Sequence, residues 1–261
     1  MPTATCTPAS PVSPTTPTDP AGTAVLGVQR TRSGHAVSEL RRGHRLAPRV
    51  LGAGGASVRA CLLATQAGPL AGDHDRVRIV VGAGATLVVC PVAATLALPG
   101  SGRTRLELDV AVGEGGRLVL EDAPLIVAGG ADVVRRTTVA LAAGAAAAVR
   151  DVVVLGRAGE GAGRLDSALR VTDAAGVVLR DALRIDPATA AEDERVALAV
   201  GHRVAGTLCL LGAEPPAADE PAPALARGGA LQRATAAGLA ELDAELAATW
   251  TAWAGALTST P

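Results

Sequence analysis

Apolar and polar residues alternate along most of the chain, from about residue 25 to residue 211. In the segment 105–112, RLELDVAV, the apolar positions recur at every second residue, which is the period of a half-buried β-strand. Comparable runs occur at 77–81, 86–89, 117–119, 137–141, 152–155, 169–172, 177–179 and 204–211. The pattern therefore predicts a mainly β protein.

A unit of strand, small-residue turn and strand recurs along this region. It is seen in VVGAGATLVV at 80–89, AVGEGGRLVL at 111–120, LAAGAAAAV at 141–149 and VTDAAGVVL at 171–179. The turn glycines Gly84, Gly115, Gly144 and Gly176 lie 31, 29 and 32 residues apart. Glycine permits positive φ in tight turns, and a near-constant period indicates units that stack on one another. We expect a β-helix-like arrangement of stacked sheets; coincidence is the alternative, because the chain holds 31 glycines.

Composition shifts divide the chain into four segments. Residues 1–22 are rich in Pro and Thr and predict a disordered arm. We expect a β domain over 23–213, a Pro- and acid-rich linker over 214–224, and a small helical element over 225–261. In the last segment apolar residues recur on one helical stripe, at Leu239, Leu242, Leu246, Trp250, Trp253 and Leu257. This stripe predicts a helix that packs on the β domain, or alternatively a face that docks a partner.

Residues 79–102 carry no charge over a length that could span a bilayer. Glycines, prolines and β-branched residues interrupt this stretch, so we interpret it as two buried strands joined by a turn and expect no membrane association. The four cysteines, Cys6, Cys61, Cys90 and Cys209, form no CxxC pair. They predict reduced, mostly buried thiols and a cytoplasmic protein.

The composition also excludes several kinds of chemistry. All 24 basic residues are Arg, so the chain lacks the lysine of a nucleotide-binding P-loop and of Schiff-base enzymes. Its only aromatic residues are Trp250 and Trp253, and the net charge is −1, which argues against nucleic acid as a partner.

Two local clusters are candidates for chemistry. In Gly-Asp-His-Asp at 72–75, Asp73 and Asp75 would share one face of a strand and could receive a divalent cation or an arginine. A turn-forming Asp that accepts backbone amides is the alternative. In LGRAGEG at 155–161, Arg157 and Glu160 are three residues apart, and an ion pair that holds the loop is the simplest interpretation.

The order of several motifs resembles the UreD family of urease accessory proteins, also called UreH. These motifs are LATQAGPLAGD at 63–73, PVAAT at 91–95, EDAPLIVAGGAD at 121–132, RRTTVAL at 135–141 and LGRAGEGAG at 155–163. The resemblance implies a β-helix-like fold and a non-enzymatic chaperone. Such a chaperone would bind apo-urease, recruit UreF and through it the GTPase UreG, and pass nickel to the urease active site without a tightly bound cofactor.

Matching the family motifs residue by residue gives an expected nickel path of Asp73, Thr95, Asp122 and Glu160. By the same resemblance Asp73 and Glu160 are expected to touch the metal transiently. Arg157, together with the two tryptophans of the terminal helix, Trp250 and Trp253, is expected to contribute to partner docking.

Two other classes of function compete with this one. The first is a β-helix enzyme that acts on a polysaccharide with Asp73, Asp75 and Glu160 as its carboxylates, although sugar clefts usually need more aromatic residues than this chain has. The second is a purely structural interaction protein.

Overall fold

The computed structural model describes residues 22–187, 202–217 and 222–259. Within these ranges sixteen strands and one helix follow the chain. They are β1 Ala24–Thr31, β2 Gly34–Arg41, β3 Leu46–Gly52, β4 Val58–Ala64, β5 His74–Val81, β6 Thr86–Val89, β7 Thr95–Ala97, β8 Thr104–Val112, β9 Arg117–Glu121, β10 Leu125–Val127, β11 Asp132–Leu141, β12 Ala146–Leu155, β13 Arg164–Asp173, β14 Gly176–Ile185, β15 Val204–Leu211, β16 Gly229–Ala236 and α1 Leu239–Thr258.

The strands form two stacked sheets between which the chain alternates. Sheet 1 has the order β14-β13-β11-β8-β5-β1-β2, and sheet 2 has the order β16-β15-β12-β9-β6-β4-β3. Two short strands extend sheet 2, because β10 pairs with β12 and β7 pairs with β10. From β4 to β13 each coil of the chain adds a parallel strand to each sheet, whereas the outermost strands pair antiparallel. The mainly β, β-helix-like prediction is confirmed.

Three of the predicted glycine turns carry the chain from sheet 1 to sheet 2. Gly84, Gly115 and Gly144 have φ of 60°, 63° and 63°, a conformation that glycine adopts without steric cost. The turns stack directly, since the Gly84 amide donates to the Glu114 carbonyl at 2.8 Å and the Gly115 amide donates to Ala143 at 2.9 Å. Gly176 differs, because it lies in the antiparallel hairpin between β13 and β14 and so ends the array instead of repeating it.

A second stack of loops returns the chain from sheet 2 to sheet 1. The Leu98 amide donates to Pro69 at 2.9 Å, the Ala128 amide to Ala97 at 3.1 Å and the Gly156 amide to Val127 at 2.8 Å. We call this set, the segments 65–73, 98–103, 128–131 and 156–163, the return loops. They contain most of the motif at 63–73 and most of the motif at 155–163.

The interior between the sheets is filled by the apolar half of each alternating strand. On β5, for example, Val77, Ile79 and Val81 are buried, and on β9 Leu118 and Leu120 face them in the same core. The uncharged stretch 79–102 supplies the end of β5, the turn and β6, as predicted, followed by β7. Among the described residues no helix is both long and apolar enough to cross a membrane.

The terminal helix α1 packs on the outer face of sheet 2. Leu242, Leu246, Trp253 and Leu257 are buried there against strands β9, β12, β15 and β16, so the packing interpretation of the apolar stripe is confirmed. The Arg150 guanidinium adds a polar link, because it contacts Glu121 of β9 at 2.9 Å and Asp243 of α1.

The predicted helical element 225–261 is wrong over its first part. Residues 229–236, GALQRATA, are the antiparallel edge strand β16, and α1 begins only at Leu239. Pairing along the whole of β15 overrides the helix propensity of the alanines. The predicted arm 1–22 lies outside the described residues except for Gly22, and so do residues 218–221 of the predicted linker.

Candidate functional site

A row of polar side chains crosses sheet 1 at positions where the alternation calls for apolar residues. Asp75 of β5 and Arg135 of β11 are both in register with Leu106 of β8, and Ser167 of β13 is in register with Arg135. All three polar residues are buried, because they share the inward phase of their strands with the core residues. The row therefore places ionisable groups inside the sandwich.

Sheet 2 carries a matching row. Asp151 of β12 is in register with Thr207 of β15. Asp122 follows β9 directly, and its amide donates to the Arg150 carbonyl at 3.1 Å, so Asp122 continues the β9 register beside Asp151. We call the two rows together the polar layer; its members are Asp75, Arg135, Ser167, Asp122, Asp151 and Thr207.

Ion pairs hold most of the charges of the polar layer. Arg135 donates to Asp151 across the sheets at 2.5 Å and to the Ser167 hydroxyl at 3.0 Å. Arg45, immediately before β3, donates from Nε to Asp75 at 2.8 Å and from Nη1 to the Gly68 carbonyl at 3.0 Å. A buried charge needs such partners, since desolvation of an isolated ion costs several kcal/mol.

Asp122 is the exception. The layer's carboxylates, Asp75, Asp122 and Asp151, are accompanied by the guanidinium of Arg135 in the layer and that of Arg45 beside it. Asp122 forms no ion pair with a described residue. Within the described part of the chain, its Oδ1 accepts a hydrogen bond only from the Ala123 amide, at 2.9 Å. Burial raises the pKa of Asp122 to about 6; Arg135 opposes this rise and the charge of Asp151 adds to it.

The raised pKa of Asp122 predicts a pH-dependent stability difference. The pKa lies above the ordinary value of 3.8, so the ionised carboxylate destabilises the fold increasingly as pH rises from about 4 to above 6. We expect Asp122→Asn to raise the free energy of unfolding by about 2 kcal/mol at pH 7.5, and the gain to vanish below pH ~4. Urea unfolding at several pH values measures this difference.

Asp166 provides the matched control for this experiment. Hydrogen bonds from Arg136 lower the pKa of Asp166, so the ionised form stabilises the fold. Asp166→Asn should therefore lower stability at pH 7.5, and this loss should shrink as pH falls below about 4. The interpretation of Asp122 is wrong if Asp122→Asn lowers the free energy of unfolding at pH 7.5, as Asp166→Asn is expected to do.

Three cavities follow the polar layer from one end of the sandwich toward the other. The first, about 80 Å³, is lined by Arg45, Asp75, Thr95, Asp122 and Arg135 among others. A second of about 20 Å³ continues from Asp122 and Arg135 to Asp151 and Ser167, and a third of about 30 Å³ reaches Asp181, Thr207 and Cys209. Neighbouring cavities share lining residues, and each has room for at least one water molecule.

The structure divides the four residues of the expected nickel path into two pairs. Thr95 and Asp122 line the first cavity together. Asp73 and Glu160 lie instead in the return loops, where Asp73 accepts the Leu70 amide at 2.8 Å as a turn-forming aspartate does. The described contacts of Asp73 and Glu160 hold loops, and a role for these two in metal transit stays a prediction.

Glu160 joins two neighbouring return loops. Its carboxylate accepts Nε of Arg157 at 2.8 Å and the amide of Gly129 at 3.3 Å. The hydrogen bond from Arg157 is the main reason that the pKa of Glu160 falls to about 2. The predicted ion pair that holds this loop is therefore present.

The residues expected to dock partners differ in exposure. The Arg157 side chain is half exposed. Trp253 is only 3% exposed and belongs to the cluster beneath α1, so it offers no free face to a partner, whereas Trp250 is partly buried at the edge of that cluster.

The carboxylates required by a polysaccharide-cleaving enzyme are each engaged elsewhere. Asp75 is ion-paired in the interior, Asp73 holds a turn and Glu160 holds a loop. Across the described ranges no three His, Cys, Asp or Glu side chains are grouped closely enough to hold a metal ion.

Sequence reasoning missed Arg135, Asp151 and Ser167. A signal was nevertheless available, because each stands at the inward phase of a strand whose other inward positions are mostly apolar. Arg135 follows Val133 and precedes Val139 at this phase, for instance.

Comparison with known proteins identifies the family. The family model described as UreD urease accessory protein matches residues 21–259, which is nearly the whole chain. The chain belongs to the UreD family.

Several relatives of this UreD-family chain carry the name urease accessory protein UreD. The protein from Streptomyces avermitilis is 35% identical over 185 residues, or 70% of this chain and 73% of that protein. UreD 1 from Streptomyces griseus is 35% identical over 235 residues, covering 88% and 90% of the two chains. A Frankia alni relative is 43% identical over a shorter stretch, 42% of this chain and 38% of its own length.

Proposed function

We propose that this chain serves urease maturation as a non-enzymatic chaperone that passes nickel along the polar layer toward the urease active site. Membership of a family of urease accessory proteins supports the first part of this proposal. The observation that carries the second part is Asp122, a carboxylate without an ion-pair partner among the described residues, at the junction of the first two cavities.

The donor chemistry of the layer suits a cargo rather than a resident metal. Thr95, Asp122 and Asp151 offer oxygen ligands, which hold a borderline cation such as Ni²⁺ less firmly than thiolates or imidazoles do. The inward-facing carboxylates of Asp75, Asp122 and Asp151 outnumber the two guanidiniums beside them, so an entering cation meets an excess of negative charge when Asp122 is ionised. We propose that Asp122 is the residue at which this excess attracts the ion.

The proposed partners are apo-urease, UreF and the GTPase UreG, in the cytoplasm. A division of labour is consistent with the composition of this chain, because it has no lysine with which to build a P-loop. Nucleotide hydrolysis would then belong to a separate subunit. The exposed Arg157 is one surface group through which such partners could dock.

Urease activation in a host that co-expresses the urease operon with this chain tests the proposal. At limiting nickel we expect Asp122→Asn to lower urease activity at least about tenfold, as is usual when a group that supports metal binding is lost. Excess nickel should restore part of the activity. The control is Asp109→Asn, which removes an outward carboxylate of β8 that accepts a hydrogen bond from Thr138.

Each outcome of this experiment has a distinct meaning. Full urease activity in the absence of this chain would refute a role in maturation, whereas full activity with Asp122→Asn would refute only the proposed route. Asp73→Ala and Glu160→Ala complete the series. Unchanged activation by both would remove the return-loop carboxylates from the nickel path.

A further inference from the structure

Two cysteines lie side by side on the outer face of sheet 2. Strands β4 and β6 are parallel, with Ala60 in register with Val89. The register continues by one residue, because the Cys90 amide donates to the Ala60 carbonyl at 2.9 Å. Ala60 and Val89 face the core, so the next pair, Cys61 and Cys90, faces outward together.

The spacing of this pair suits a covalent bond between the sulfurs. Neighbouring strands lie about 4.8 Å apart, and disulfide-bonded cysteines have Cα atoms roughly 4.4–6.8 Å apart. The two thiols also interact electrostatically. Burial raises the pKa of Cys61, the nearby Cys90 raises it further, and Arg49 opposes the rise. Both cysteines are free thiols in the structure.

We propose that Cys61 and Cys90 form a thiol pair that a low-molecular-weight disulfide oxidises to an intrachain disulfide. The thiolate of one cysteine attacks a sulfur of the reagent, which gives a mixed disulfide and releases one small thiolate. The thiolate of the second cysteine then attacks the mixed disulfide, which closes the Cys61–Cys90 bond and releases the other small thiolate. The two protons lost by the cysteines balance the two thiolates released.

The surroundings assign the first attack to Cys90. Cys90 is partly exposed, so a reagent in solution can reach its sulfur, and Nη2 of Arg59 donates to that sulfur at 3.7 Å. Cys61 is 1% exposed and therefore reaches a bulky reagent poorly, but it reaches a sulfur already attached to Cys90. Within the described ranges neither thiol joins two further His, Cys, Asp or Glu side chains, which favours disulfide chemistry over a closed metal site.

The site is separate from the proposed nickel route, because it lies on the opposite face of sheet 2 from the polar layer. Cys209 is the matched control within the same sheet. It faces the core on β15, and burial raises its pKa to about 12. A reagent that reacts with folded protein should therefore leave Cys209 untouched.

The test uses the full-length folded protein carrying Cys6→Ser, treated with oxidised glutathione and examined by intact mass and peptide mapping. We expect a product lighter by two hydrogen atoms, in which the peptides of Cys61 and Cys90 are linked. Cys209→Ser should give the same product. Cys61→Ser should instead stop at a mixed disulfide on Cys90, and Cys90→Ser should stay reduced.

Two outcomes would overturn the proposal. The first is a Cys6→Ser protein that stays reduced until it is unfolded, which would show that the pair serves only as small apolar side chains. The second is a stable mixed disulfide on Cys90 while Cys61 is still present. Both are observed on protein with an intact thiol pair, so neither depends on whether the cysteine variants fold.

Discussion

Replacing Asp75 with alanine is expected to lower the free energy of unfolding by about 3–5 kcal/mol, because the Arg45 guanidinium would stay buried without its counter-charge. The two side chains are only 3% and 4% exposed. The Gly68 carbonyl would remain as a neutral acceptor for Arg45 and cannot replace a carboxylate. Urea or guanidinium unfolding, followed by circular dichroism, measures the change.

Two further variants distinguish the cost of leaving a buried charge unpaired from the contribution of an ion pair itself. The double substitution Arg45→Met with Asp75→Leu removes both charges and should recover most of the lost stability. Asp132→Ala breaks an exposed pair with Arg103 and should cost less than about 1 kcal/mol. Equal losses from Asp75→Ala and Asp132→Ala would contradict the assignment of a buried ion pair.

Trp253→Ala is expected to cost about 3–5 kcal/mol, through lost burial and the cavity that remains under α1. Trp253 is 3% exposed, and its neighbours in the cluster include Leu242 and Leu246. These two leucines seat the helix directly on the backbone of β15, where a Cβ added to Gly206 would come within 2.8 Å of each. The helix can therefore move little to fill the cavity that Trp253→Ala would leave.

Trp250→Ala is the matched control, because Trp250 lies at the edge of the same cluster and is only partly buried. We expect its cost to be less than half that of Trp253→Ala. Each variant retains one tryptophan, so unfolding followed by fluorescence reports on the remaining ring. A Trp253→Ala protein as stable as the unsubstituted one would mean that α1 does not dock as described.

Most of the strands and the stacking of successive units were predictable because burial in this fold is periodic. In a strand with one face in the core, such as β8, apolar and polar residues alternate along the sequence. A tight turn between coils contains a glycine, such as Gly115. The terminal helix was equally predictable, from the spacing of its apolar residues. The strand β16 was not, because its alanines favour a helix locally and only the pairing with β15 decides otherwise.

The polar layer was harder to foresee than any motif. Asp75, Asp122 and Asp151 are far apart in sequence and meet only because successive coils are in register. The conspicuous motifs with Asp73 and Glu160 instead mark the chemistry of loops, where a carboxylate accepts backbone amides. Local sequence thus reveals turns more readily than it reveals the contents of the interior.

The antiparallel outer strands have a consequence for the behaviour of the protein at high concentration. A parallel coil array with bare ends would present strand edges onto which another copy could stack. Here β14 closes one end of sheet 1 and carries Arg180, Asp181 and Arg184, while β2 closes the other and carries Glu39 and Arg41. Charged edge strands of this kind resist edge-to-edge aggregation, so both edges of sheet 1 are protected against growth into fibres.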